Sequence, residues 1–87
     1  LRGHDIRQTV DDMFRRELHV AQISPDVPLV DYGLDSIRSI SLVVDMEATF
    51  DVRISDEQAA SMLTLGDVVD RITALLSVNA GAGEGDA

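Results

Sequence analysis

The sequence predicts an all-α domain: a four-helix bundle with a short third helix and a long loop between the first two helices. Three observations lead there. Apolar residues recur at spacings of three and four in separate segments, and no segment reads as a strand. The two prolines, Pro25 and Pro28, fall in one stretch and separate the first of these segments from the second. The chain holds two phenylalanines, one tyrosine and no tryptophan, so the core must be built from Leu, Ile, Val, Ala and Met. That composition suits small helices better than a β-sandwich, which draws on aromatic residues.

The first helix is expected within residues 1–19. Ile6, Val10, Met13, Phe14 and Leu18 form one apolar stripe, while Asp5, Asp11, Asp12, Arg15 and Arg16 fall mostly off it. It should begin near Asp5 and fade by Leu18 or His19. Residues 20–35 form the long connection, because Ser24-Pro25-Asp26 and Val27-Pro28 interrupt any helix. Loops of this length carry function or pack on their own account. Val27, Leu29, Val30 and Leu34 are available to pin it to the core, with a short turn near Leu29–Asp31. Gly33 permits a positive φ or a close approach just before the next helix.

The second helix is expected over 36–50, with Asp35 as its N-cap. Ile37, Ile40, Val43, Val44 and Phe50 supply apolar positions, and Leu42 and Met46 widen the face. So wide a face implies burial on one side and a partner surface on the other. Residues 51–54 turn, with Val52 and Ile54 directed inward. Ser55-Asp56-Glu57-Gln58 is a capping box and predicts a short helix over about 56–62. Thr64-Leu65-Gly66-Asp67 is a second box-like start, and Leu65, Val68, Val69, Ile72, Leu75 and Leu76 carry a fourth helix through about 77. Residues 1–78 then form one domain. Residues 79–87 are expected to be a disordered Gly/Ala-rich tail, with glycine at every second position from Gly81 to Gly85.

A chain of 87 residues is one small domain with a modest core. It has no cysteine, which excludes disulfides, zinc–thiolate sites and any thiol chemistry of its own. No apolar run approaches membrane-spanning length and no signal peptide is evident, so the reading is a soluble, cytoplasmic monomer with no membrane partner. Sixteen acidic residues against seven basic ones give a net charge of −9, and lysine is absent. Nucleic acid is a poor partner for such a surface, whereas basic protein surfaces suit it.

Autonomous chemistry finds little support. A serine nucleophile needs a base oriented by a third group, and the two histidines, His4 and His19, lie at opposite ends of the first helix. No G-x-S-x-G elbow is present. Counting a calcium loop from Asp31 places Ser36 where glycine is needed and Leu42 where glutamate is needed, so no metal site is expected. No residue is assigned a catalytic or metal-binding role. Ser36 itself lies in the first turn of a helix, where its hydroxyl should be exposed and where terminal amides would favour a phosphate ester. On the residues alone, two readings stay open: an ordinary helix-start serine, which local chemistry favours, and a site modified by another enzyme.

The stretch Gly33-Leu34-Asp35-Ser36-Ile37 resembles the G-x-D-S-[LI] signature of the acyl carrier proteins, the phosphopantetheine-attachment family of fatty acid, polyketide and nonribosomal peptide synthesis. The resemblance extends from Leu29…Tyr32-Gly33 through Leu42-Val43…Glu47…Phe50-Asp51 to Ile54-Ser55-Asp56-Glu57 and Thr64-Leu65, covering about residues 5–77. It implies a non-catalytic carrier domain. Ser36 would receive a covalent 4′-phosphopantetheine arm from coenzyme A through a separate phosphopantetheinyl transferase, making the chain a phosphoprotein. The arm's thiol would hold acyl groups as thioesters, which fits a chain without cysteine.

By the same resemblance Asp35 and Ile37 would serve recognition by the transferase. Ile37, Arg38, Ser41, Val44, Asp45, Glu47 and Ala48 would form the docking face of the second helix. Partners would include an acyl- or aminoacyl-loading enzyme, a ketosynthase or other pathway enzymes. The fatty-acid type carries a denser acidic second helix than this one, where Arg38, Ser41 and Ala48 occupy the face. The mixed face points to a dedicated partner set, as in polyketide or hybrid secondary metabolism such as antibiotic biosynthesis. A peptidyl carrier of nonribosomal peptide synthesis and a fatty acid synthesis carrier are the alternatives within the class. A helical interaction module without a prosthetic group is the alternative outside it.

Overall fold

The computed structural model describes the backbone of residues 3–86 and side chains over 5–77. Among the described residues there are four α-helices and no strand: α1 (Gly3–Leu18), α2 (Ser36–Phe50), α3 (Asp56–Ser61) and α4 (Leu65–Asp86). A 3-10 turn, Leu29–Tyr32, interrupts the connection between α1 and α2. No helix of the described residues is long and apolar enough to cross a membrane.

α1 buries Ile6, Val10, Phe14 and Leu18, one residue per turn, as its stripe predicts. On its flank Arg15 pairs with Asp11 at 2.7 Å and with Asp12. The helix ends at His19, which takes a left-handed φ of 56°. The Val20 amide then reaches back to the Arg15 carbonyl at 3.1 Å, closing a Schellman turn, and the Val20 side chain leans on the core. α2 ends the same way: Asp51 has φ 55°, and the Val52 amide donates to the Glu47 carbonyl at 3.3 Å. Glycine is the usual occupant of that position, and here a histidine and an aspartate fill it.

α1 packs against α2 and α4. Among the described residues the core is wholly apolar, with Leu29, Leu42, Met46, Ile72, Val10 and Val68 the most deeply buried side chains. α3 has its capping box complete. The Ser55 hydroxyl accepts from the Gln58 amide at 3.1 Å, and the Gln58 side chain accepts from the Ser55 amide at 2.9 Å. At the start of α4 the Thr64 hydroxyl accepts from the Asp67 amide at 3.1 Å, and the Asp67 carboxylate accepts from the amides of Leu63 and Thr64 at 3.2 Å each.

The long connection is tied to the junction of α3 and α4. The Leu29 amide donates to the Leu63 carbonyl at 2.8 Å, the Gly66 amide to the Pro25 carbonyl at 3.1 Å, and Pro28 and Thr64 form an isolated antiparallel bridge. Within the loop, the Tyr32 hydroxyl accepts from the Ser24 amide at 2.9 Å. Of the residues expected to pin it, Leu29 is buried and Val27 and Leu34 are half-buried. Val30 is instead exposed, and Ile23 is buried in addition. A 3-10 turn sends successive residues to different sides, so adjacent Leu29 and Val30 cannot both face inward.

One correction concerns the end of the chain. The backbone of α4 continues to Asp86, past the helix end near residue 77 that the apolar spacing predicts. Once a helix is nucleated each further residue adds one hydrogen bond, and no proline follows Leu65 to stop it. Residue 87 lies outside the described residues.

Candidate functional site: the loop to helix junction at Ser36

The junction is built by three successive backbone choices. Gly33 ends the 3-10 turn in the left-handed region, φ 96°, with its amide donating to the carbonyls of Leu29 and Val30. A side chain there would find open space, so the requirement for glycine is the backbone angle alone. Asp35 is extended, φ −128°, and its Oδ1 accepts from the Arg38 amide at 2.8 Å. Its carbonyl accepts from the Ser39 amide at 2.9 Å, the first hydrogen bond of α2. Ser36 is therefore the first residue of the helix, directly after its cap, and it is exposed.

Among the described residues no hydrogen bond engages the Ser36 hydroxyl. His19 is exposed at the end of α1, and His4 lies in the first turn of α1 with its side chain outside the described set. Among the described residues no base is hydrogen-bonded to the hydroxyl at this junction, the contact a nucleophilic serine needs. What it offers is an accessible primary alcohol at the positive end of a helix dipole. That arrangement suits a phosphate ester formed by an enzyme that brings its own catalytic groups.

The structure divides the expected docking set. Ile37, Ser41, Val44, Asp45 and Ala48 are all exposed and share one stripe of α2. Arg38 and Glu47 are only half-buried by their surroundings, but their charged ends are engaged inside the chain. Arg38 Nη1 donates to the Glu17 carbonyl at 2.6 Å, and its Nε lies 3.9 Å from Asp35 Oδ2. Glu47 Oε2 accepts from the Ile54 amide at 2.9 Å. These two side chains are struts on either flank of the stripe. Sequence spacing gave no sign of it, because both bond to backbone groups.

Sequence reasoning also left Ile40 out of the exposed face. It is 65% exposed, beside Ile37 at 79% and Val44 at 57%. Its spacing, three after Ile37 and four before Val44, was the available signal. The inward side of α2 is carried by Leu42, Met46 and Phe50. Two other large apolar side chains, Val30 and Leu63, are exposed where the long connection meets the α3–α4 junction. Between α2 and the rest of the core lies a cavity of only about 30 Å³, lined among others by Phe14, Leu34, Ser39, Leu42, Met46 and Met62.

Against known proteins, a family described as the phosphopantetheine attachment site matches residues 8–72, most of the chain. The acyl carrier protein of Helicobacter pylori (strain J99) is 40% identical over 53 residues, covering 60% of this chain and 68% of that one. The acyl carrier protein of Desulforapulum autotrophicum is 35% identical over 54 residues, covering 61% of this chain and 70% of that one. The crystal structure of an acyl carrier protein from Thermotoga maritima superposes with a TM-score of 0.73 at 21% identity, covering 86% of this chain and 91% of that one. That last likeness establishes the shared fold.

The chain belongs to the acyl carrier protein family, the phosphopantetheine-attachment proteins. Membership implies a covalently attached 4′-phosphopantetheine group. The matched segment contains the whole of α2 and the junction before it. When bound, the group supplies a terminal thiol on a long flexible arm, a functional group this cysteine-free chain lacks.

Proposed function

We propose that Ser36 carries the 4′-phosphopantetheine arm and that the chain shuttles thioester-bound acyl intermediates between partner enzymes. The observation that carries this reading is the exposed hydroxyl of Ser36, the first residue of α2, directly after the Asp35 cap. Asp35 and Ile37 flank it, both exposed, and are the residues a phosphopantetheinyl transferase would read. Ile37, Ser41, Val44, Asp45 and Ala48, joined by Ile40, make the surface on which loading and elongating enzymes dock.

We place the carrier in a polyketide or hybrid secondary-metabolite pathway, as a cytoplasmic protein acting as a monomer. Two features support that. The exposed stripe of α2 offers Asp45 as its free carboxylate, since Glu47 is bonded to the Ile54 amide. Broad charge steering onto basic patches is therefore weak, and shape and apolar contact must select the partners. The cleft of about 30 Å³ between α2 and the core has room for a water molecule or two, so a long alkyl chain cannot be enclosed without opening the core. Short or polar cargo that stays outside the helices fits better.

The attachment is tested by incubating the chain with coenzyme A, magnesium and a broad-specificity phosphopantetheinyl transferase, then measuring intact mass. One arm per chain is expected, lost in Ser36→Ala. No mass increment on the folded chain would sink the carrier reading and favour a helical interaction module. The pathway is tested by offering the arm-bearing chain to polyketide, aminoacyl and fatty-acid loading enzymes in parallel. Preferential loading by the fatty-acid or aminoacyl enzyme would overturn the polyketide assignment.

A further inference from the structure

We propose that Arg38 is a positioning residue for arm attachment, acting through Asp35, and is not itself a contact for partner enzymes. This rests on Ser36 being the attachment residue. Arg38 Nη1 donates to the Glu17 carbonyl at 2.6 Å. That carbonyl lies in the last turn of α1, among the four that have no partner within the helix. A cation there is favoured by the negative end of the helix dipole. The end of α1 is itself fixed by the Schellman turn through His19 and Val20. The guanidinium is thus moored to a rigid point outside α2.

At the near end the same residue addresses both oxygens of one carboxylate. Its amide donates to Asp35 Oδ1 at 2.8 Å, and its Nε stands 3.9 Å from Asp35 Oδ2. The amide bond alone would leave the second oxygen free to swing about the cap. The moored guanidinium, a charge at ion-pair distance and beyond hydrogen-bond reach, biases the second oxygen toward one orientation. Asp35 immediately precedes Ser36, so a carboxylate held in one orientation gives a transferase a fixed landmark beside the hydroxyl it must modify. Only a planar group with several donors can hold the carbonyl and face the carboxylate together. A lysine would offer a single point charge.

The side chains of Arg38 and Asp35 are 37% and 60% exposed. Solvent screens such a pair, so the effect is bounded at about fivefold in rate.

The experiment is steady-state kinetics of arm transfer from coenzyme A onto the full chain. Arg38→Met keeps the apolar stem and removes both donors. Asp35→Asn keeps an acceptor for the cap and removes the charge. The double variant closes the cycle. Arg38→Met is expected to lower kcat/KM by about fivefold, chiefly through KM, with helical content and melting behaviour showing the chain folded. Arg38→Lys is expected to recover part of the loss. In the Asp35→Asn background, Arg38→Met should cost less than twofold.

An undiminished fivefold loss in that background would overturn the proposal, because Arg38 would then touch the transferase directly. So would wild-type kinetics in Arg38→Met. Failure of the underlying reading looks different: the wild-type chain would take no arm, or Ser36→Ala would still take one.

Discussion

Removing the Glu47 side chain should destabilise this domain far more than removing Asp45 from the same helix. Glu47 Oε2 accepts from the Ile54 amide at 2.9 Å, and Ile54 is 8% exposed. The Glu47 carbonyl also receives the amides of Asp51 and Val52 at the end of α2. One residue therefore fixes the whole turn from α2 to α3. A hydrogen bond to a charged acceptor contributes about 1.5–3 kcal/mol, and truncation leaves the Ile54 amide without its partner. Glu47 is half-buried, and water entering the vacated space offsets part of the loss, so Glu47→Ala should cost about 2 kcal/mol. For a domain of this size that lowers Tm by roughly 8–15 °C. Glu47→Gln keeps a neutral acceptor and should lose about half as much. Asp45→Ala removes an exposed carboxylate and should stay within about 0.5 kcal/mol. Urea denaturation followed by circular dichroism reads all three, with the denaturant slope unchanged if the denatured state is unaffected. Equal stability of Glu47→Ala and Asp45→Ala would refute the strut and return Glu47 to the docking surface.

Three further outcomes are expected. Ile72 is fully buried, so Ile72→Ala should cost about 2–5 kcal/mol, measured by the same urea titration. Gly33→Ala meets no neighbouring atom and so bears the cost of its φ of 96° alone, about 1–2 kcal/mol by thermal melting. Ending the chain after Val78 should leave Tm within about 2 °C, because three glycines at roughly 1 kcal/mol each oppose the helical hydrogen bonds of that stretch.

The parts of the fold visible in the sequence are those written in local spacing. The stripe of α1, the cap at Asp35, the capping box at Ser55 and the start of α4 at Thr64 are each read from residues no more than four positions from the next, and each formed as read. The ends of α1 and α2 were legible as fading patterns. Their chemistry was not, because His19 and Asp51 hold a backbone angle that sequence rules assign to glycine. The extension of α4 ran against composition, since alternating glycine argues for a coil. At the site, Ser36 and its flanking residues were placed correctly as an exposed helix start. The roles of Arg38 and Glu47 were invisible, because their partners are backbone groups 21 and 7 residues away in the chain.

That invisibility bears on how α2 settles at all. Ile37, Ile40 and Val44 compete with Leu42, Met46 and Phe50 for the core, so hydrophobic pattern alone allows more than one rotation of the helix. In the rotation observed, three large apolar side chains remain in water. The polar ties distinguish it from the others. Arg38 reaches the end of α1 on one flank, and Glu47 reaches the turn before α3 on the other. Rotating α2 by one residue, about 100°, would break both bonds at once. It would also carry at least one charged end toward an apolar interior, at a desolvation cost larger than the gain from burying an isoleucine. The apolar stripe beside Ser36 is thus held outward by two charged residues on its flanks, each tied to the backbone of a neighbouring segment.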